Sequence, residues 1–247
     1  MLRSITKILG YRIQATDGQI GDVDDFLFDG REWMIRYLVA DTGHWLPGRQ
    51  VLVAPASLGH ADWSKRILPV KLTKQQVEES PEISTDQPVS RQRQVLLHQY
   101  YGWPLYWDEA DMSGAMIGAV LPRLNAAEEG ATGDPNLRSA REVRGYSIEA
   151  LDGLIGHVDD FVVEDDSWIL RYIVVDTGNL LRGKRVLVAP SWVKSLVWEE
   201  RRAHVDLSRN AIENSPEFNP HDPVNRVYEE VLCDYYGRPK YWEVKER

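Results

Sequence analysis

Two Asp-Thr-Gly triplets, Asp41-Thr42-Gly43 and Asp176-Thr177-Gly178, each follow an apolar stretch. Two such aspartates, brought face to face, could share a proton and activate a water, the chemistry of paired-carboxylate hydrolysis. His44 and Asn179 follow the glycines, where such catalytic loops carry Ser or Thr, and neither half of the chain offers a late apolar-apolar-Gly strand to support the loop. The pattern therefore favours a turn, in which Asp and Thr side chains bond to backbone and Gly takes a positive φ. Asp22, Asp24 and Asp25 form an acidic cluster, but the twelve-residue calcium loop with its closing Glu is missing. Asp24/Asp25 and their later counterparts Asp159/Asp160 are expected to pair with Arg36 and Arg171 or to fix a bulge. His44, His60, His98, His157, His204 and His221 never fall at zinc-binding spacing, and there is no nucleophile elbow, phosphate loop or dinucleotide fingerprint. The expectation is a chain with no catalytic residue, no metal and no cofactor.

What remains is aromatic. Tyr100, Tyr101, Tyr106 and Trp107, and again Tyr235, Tyr236, Tyr241 and Trp242, end two similar segments. Such rings cover the open end of a small fold, or exchange between units or between chains as a seam. These eight residues are the candidate interaction surface.

Their recurrence reflects a duplication. Leu2 matches Leu137, Gly10 matches Gly145 and Trp107 matches Trp242, at a constant offset of 135 residues. About 45 of the 106 paired positions are identical, which marks an internal repeat. The organisation read from this is a first repeat with its tail over residues 1–107, a linker over 108–136, and a second repeat with its tail over 137–247. The linker is rich in Ala, Gly and acidic residues.

Each repeat begins as β structure. Arg12–Thr16, an Asp17-Gly18 turn and Gln19–Phe28 predict a hairpin, because Asp-Gly supplies the positive φ that tight turns need. Trp33–Ala40 alternates with apolar residues on both faces and predicts a central strand; Gln50–Ala54 and Ile67–Leu72 predict two more. Short strands with Gly-rich turns suggest a small barrel. The period then changes. Thr73-Lys-Gln-Gln76 is a capping box for a short helix ending before Pro81. A second helix is predicted over Arg91–Tyr101 and Arg226–Tyr236, stopped by Gly102 and Gly237. Val227, Val231 and Tyr235 join Tyr228, Leu232 and Tyr236 as one apolar stripe of the latter.

Composition narrows the class. The net charge of −9 argues against general nucleic-acid binding, which needs clustered Lys and Arg. Cys233 is the single cysteine, so no disulfide framework forms within the chain, in keeping with a reducing cytoplasm. The opening MLRSITKILGYRIQATDG has no apolar run of signal-peptide length, and no stretch reaches the ~18–20 apolar residues of a membrane span.

Three motifs carry a family resemblance: G-x-V-D-D-F at Gly21–Phe26, W-x-x-R-Y-L-V-x-D-T-G at Trp33–Gly43, and V-L-V-A-P at Val51–Pro55. All three recur, closely matched, at Gly156–Phe161, Trp168–Gly178 and Val186–Pro190. They resemble the PRC-barrel family, named for the cytoplasmic domain of the photosynthetic reaction-centre H subunit. That family also includes the C-terminal domain of a ribosome-maturation factor and stand-alone bacterial proteins. The resemblance covers Leu2–Leu72 and Leu137–Leu207; the aromatic tails are similar to those of the stand-alone bacterial type. It implies a mainly β fold of two tandem PRC-type β-barrels, each with a helical tail, which dock on other macromolecules and have no catalytic residues. Gap-free duplication adds the expectation of a pseudo-twofold relation between them. The function expected is a non-enzymatic scaffold or adaptor that binds protein partners, is cytoplasmic and not an integral membrane protein, and forms a possible homodimer. The alternative is a small-ligand-binding protein or enzyme with a site at the joint between the repeats.

Overall fold

The structure is a computed structural model that describes residues 1–43, 45–46, 49–81, 89–107, 134, 136–178 and 183–243. The linker, apart from Asp134 and Asn136, lies outside the described residues, as do His44 and Asn179.

The fold is mainly β, with two sheets. In chain order the elements of the first repeat are β1 (Leu2–Ser4), α1 (Ile5–Ile8), β2 (Arg12–Ala15), β3 (Gly18–Asp29), β4 (Met34–Asp41), β5 (Gln50–Val53), β6 (Ile67–Pro69), α2 (Lys74–Glu78) and α3 (Arg91–Tyr101). The second repeat gives β7 (Leu137–Ser139), α4 (Ala140–Val143), β8 (Ser147–Ala150), β9 (Gly153–Glu164), β10 (Leu170–Asp176), β11 (Arg185–Val188), β12 (Val193–Val197), β13 (Arg202–Val205), α5 (Arg209–Glu213) and α6 (Arg226–Tyr236). Among the described residues neither sheet closes into a barrel, and no helix is long and apolar enough to cross a membrane.

The chain divides into two compact units, and both draw on the first repeat. The first comprises Met1–Leu9, Phe28–Ile35 and Ser139–Arg247. Its sheet runs β11-β10-β9-β8-β13-β12, and β1 pairs antiparallel with β9, Leu2 facing Glu164 and Ser4 facing Val162. Asp160 holds this opening segment in place. Its carboxylate accepts from the Thr6 backbone N–H at 3.1 Å and from the Ser4 and Thr6 hydroxyls at 2.5 and 2.7 Å. Arg171, the expected partner of Asp159 and Asp160, pairs instead with Glu164 at 2.7 Å, and Asp159 pairs with Arg185 at 2.7 Å.

The second unit, Gly10–Leu27 with Arg36–Arg138, carries the order β5-β4-β3-β2-β6. The β2–β3 hairpin and the interior position of β4 match the periodicity. Tyr37, Leu38, Val39 and Ala40 are all at most 2% exposed, so both faces of the strand are covered. The strand starts one residue later than its apolar pattern: Trp33 has φ 55°, as its counterpart Trp168 has φ 58°, which takes both out of extended conformation. Gly21 explains the first motif. A Cβ there would lie 2.0 Å from the carbonyl oxygen of Asp41, and one at Gly156 would lie 2.1 Å from that of Asp176. Only glycine lets β3 and β9 pass so close to the Asp-Thr-Gly turns.

Candidate functional site

The helices that carry the aromatic tails are set by their ends. Ser90 Oγ accepts from the Arg93 N–H at 3.3 Å to start α3, and Gly102 (φ 68°) ends it. Asn225 Oδ1 accepts from the Tyr228 N–H at 3.0 Å to start α6, and Gly237 (φ 60°) ends it. A left-handed glycine at each stop turns the chain back, so the Tyr-Trp ends run over the helix that precedes them.

In the second unit the tail closes over a buried polar cluster. His98 Nδ1 lies 2.8 Å from the Pro104 carbonyl, which can only accept, so Nδ1 carries the proton. Nε2 is then the acceptor for the Tyr37 hydroxyl at 2.7 Å. Burial lowers the His98 pKa and raises that of Tyr37, so both stay neutral near pH 7. Tyr106 donates to Gln94 Oε1 at 2.6 Å, and Gln94 Nε2 donates to Asp134, which Arg91 also holds at 2.7 Å. Arg36 stacks 4.0 Å above the Tyr106 ring and Arg91 4.3 Å above Trp107. Tyr101 stacks on Trp103, whose indole N–H donates to Ser57 Oγ at 2.7 Å. Tyr100 stays at the surface, bonded through its hydroxyl to the Gln76 carbonyl at 2.9 Å.

The first unit repeats the plan with different chemistry. Tyr172 and Tyr241 both donate to Glu229 Oε1 at 3.0 Å, and Arg226 sits 3.2 Å from Oε2. Glu229 replaces Gln94 and Cys233 replaces His98. Burial dominates at Glu229 and raises its pKa, although the two phenols and Arg226 favour the carboxylate. Burial first, and then the Glu229 charge, push Tyr241 up to about 12. Arg171 lies 4.1 Å above the Tyr241 ring and Arg226 3.9 Å above Trp242. Tyr236 packs on Trp192 at 4.7 Å, and Tyr235, at the surface, donates to the Ala211 carbonyl at 2.8 Å. All eight candidate residues thus make contacts within their own unit. The residues beneath them, Gln94, His98, Glu229 and Cys233, were not singled out by periodicity; their one signal is a polar side chain on a buried helix face.

The apolar stripe of α6 resolves into two rows. Leu232 is fully covered and Tyr228 and Tyr236 are half-buried, whereas Val227, Val231 and Tyr235 are 70%, 52% and 41% exposed. Leu96 and Tyr100 hold the matching positions on α3 and are 55% and 38% exposed. In the first unit an open cavity of about 430 Å³ lies beside Tyr241, walled by Trp33, Leu170, Arg171, Pro190 and Val193.

The Asp-Thr-Gly segments are turns. Asp41 Oδ1 accepts from the Gly43 N–H and Asp176 Oδ1 from the Gly178 N–H, both at 2.8 Å, while Thr42 and Thr177 donate to carbonyls across each turn. Gly43 and Gly178 have φ of 57° and 62°. No protein-family model matches the chain, and no curated protein matches its sequence.

Proposed function

We propose that the chain is a non-enzymatic protein-interaction module made of duplicated PRC-type barrels, with the outer rows of α3 and α6 as its docking faces. The observation that carries this is the exposed row Val227–Val231–Tyr235. Three apolar side chains spaced four residues apart on a helix already anchored by its other face offer a groove or helix partner a ready contact. In the first repeat two of the three positions are apolar and exposed, Leu96 and Tyr100, while Gln92 takes the place of Val227. The PRC-type reading is supported by the close-approach glycines, the interior strands β4 and β10, and the V-L-V-A-P strands β5 and β11 beside them. The test is affinity capture from the native cell at low salt with the wild type and with a Leu96→Glu/Val231→Glu double variant. A protein retained by the first and lost by the second is expected. Identical captures by both would refute the assignment.

A second reading, a small-ligand site, is favoured by one observation. The cavity beside Tyr241 brings Arg171 to a phenol that is bonded to the buried Glu229. A thermal-shift screen of small organic anions, with Arg171→Ala as control, tests it: stabilisation that the variant abolishes supports a ligand, and none across the screen removes the reading.

A further inference from the structure

His157, Asp159 and Asp176 converge at one end of the sheet in the first unit. Asp176 of β10 faces His157 of β9 on one side and Arg185 of β11 on the other. Between Val158, opposite Val175, and Asp160, opposite Val174, the register slips, and Asp159 is the extra residue of a bulge. Such a bulge re-aims its side chain. As a result one ligand atom from each of the three side chains lies within 4.8 Å of the others.

We propose that His157, Asp159 and Asp176 form a binding site for a divalent transition-metal ion that takes mixed imidazole and carboxylate ligands, with Arg185 as the resident counter-cation that the ion displaces. A tetrahedral ion with bonds of about 2.0–2.2 Å separates its ligands by about 3.4 Å, so ligand atoms now within 4.8 Å of one another need draw in by no more than about 1.4 Å. One carboxylate is already held: Asp176 Oδ1 accepts from the Gly178 N–H at 2.8 Å, which leaves Oδ2 to turn toward the site. Arg185 Nε lies 2.7 Å from Asp159 Oδ2, and Nη2 lies 3.9 Å from Asp176 Oδ2. All three side chains of that pairing are partly solvated, and ion pairs of this kind resist displacement weakly. His157 is exposed, so water can fill the remaining coordination positions.

The choice of metal class follows from the donors. Two carboxylates alone would suit Mg²⁺ or Ca²⁺; an imidazole nitrogen shifts preference to Zn²⁺, Ni²⁺ or Cu²⁺. The first repeat supplies an internal comparison. Its matching residues are Asp22, Asp24 and Asp41, with Gln50 in place of Arg185. Among the described residues that imidazole-free set is not brought within ligand distance.

Calorimetric titration of the full chain, stripped with chelator and held at about pH 7.5, uses Zn²⁺ as the probe and Mg²⁺ and Ca²⁺ as competitors. One saturable Zn²⁺ per chain is expected, undisturbed by either competitor. His157→Ala should weaken it at least about tenfold, and Arg185→Gln, which installs the residue found at Gln50, should tighten it severalfold. Equal melting of the wild type and His157→Ala in chelator shows that the ligand and not the fold was lost. Binding that survives His157→Ala, or no saturable binding in the wild type and Arg185→Gln alike, overturns the assignment.

Discussion

Replacing Gly21 with alanine should destabilise the second unit more than any other single methyl group added to a glycine there. The new Cβ would stand 2.0 Å from the Asp41 carbonyl oxygen and 2.8 Å from its carbon, both backbone atoms of a central strand. Ordinary contact begins near 3.4 Å, so β3 and the β4 end must separate by about 1.4 Å. The φ of 150° adds a backbone conformation that L residues rarely adopt. Strain of about 1–3 kcal/mol from the dihedral and about 1–3 kcal/mol from overpacking give roughly 2–6 kcal/mol in all. Gly43→Ala is the control. Its φ is 57° but nothing lies within 4 Å of the added atom, so only about 1–2 kcal/mol of dihedral cost applies. Urea titrations followed by far-UV circular dichroism and tryptophan fluorescence read both variants, and Gly156→Ala with Gly178→Ala repeats the comparison in the first unit. If Gly21→Ala costs no more than Gly43→Ala, the close passage of β3 under the Asp-Thr-Gly turn is wrong.

Other consequences follow from the tails and their clusters. Val231→Glu, at a half-exposed position, should change the unfolding free energy by no more than about 0.5 kcal/mol while abolishing partner capture; a larger loss of stability in urea would show that the outer row packs inward. Burial raises the Glu229 pKa, so its contribution is full below the ordinary carboxylate range and is lost as pH rises through the raised value. Glu229→Gln, which copies Gln94, should therefore flatten the fall in urea midpoint across that window, and parallel wild-type and variant curves would contradict the burial argument. Trp242→Ala removes a half-buried ring and its stacking with Arg226 at 3.9 Å, for an expected loss of about 1–3 kcal/mol by denaturant titration; a change below about 0.5 kcal/mol would mean that the tail is free.

Much of the local structure was legible because it is written in short-range signals. The Thr73–Gln76 capping box, the Asp17-Gly18 turn and the glycine stops placed α2, the β2–β3 hairpin, α3 and α6 from residues within a few positions of each other. What was missed depends on distance. Leu2-Arg3-Ser4 is too short to show a period, and its partner strand begins about 150 residues later, so its pairing with β9 leaves no trace in spacing. Helical period places Val227, Val231 and Tyr235 beside Tyr228, Leu232 and Tyr236, but two adjacent apolar rows look alike until one has something to pack on. A bulge at the Asp159/Asp160 pair was one of two readings of those residues, but alternation alone could not choose it, because alternation assumes an unbroken ladder.

The repeat itself supplies what periodicity cannot. Positions identical in both copies account for the shared architecture: the glycines of close approach, the Asp-Thr-Gly turns, Tyr37 and Tyr172, and the Tyr-Trp ends. Buried or clustered positions that differ mark where the two copies have different chemistry on one backbone plan. Gln94 against Glu229 exchanges a neutral amide for a carboxyl under the same two tyrosines; in the second unit the carboxyl comes from Asp134, and in the first it sits on the helix. His98 against Cys233 exchanges a hydrogen-bonding ring for a buried thiol, and Asp22 against His157 puts an imidazole beside Asp159 and Asp176 where the first repeat has a third carboxylate. Packing requires none of these exchanges, since the fold accepts either residue at each place. Swapping these pairs between repeats, one at a time, therefore tests whether they carry the chemistry that distinguishes the two copies while the architecture stays in place.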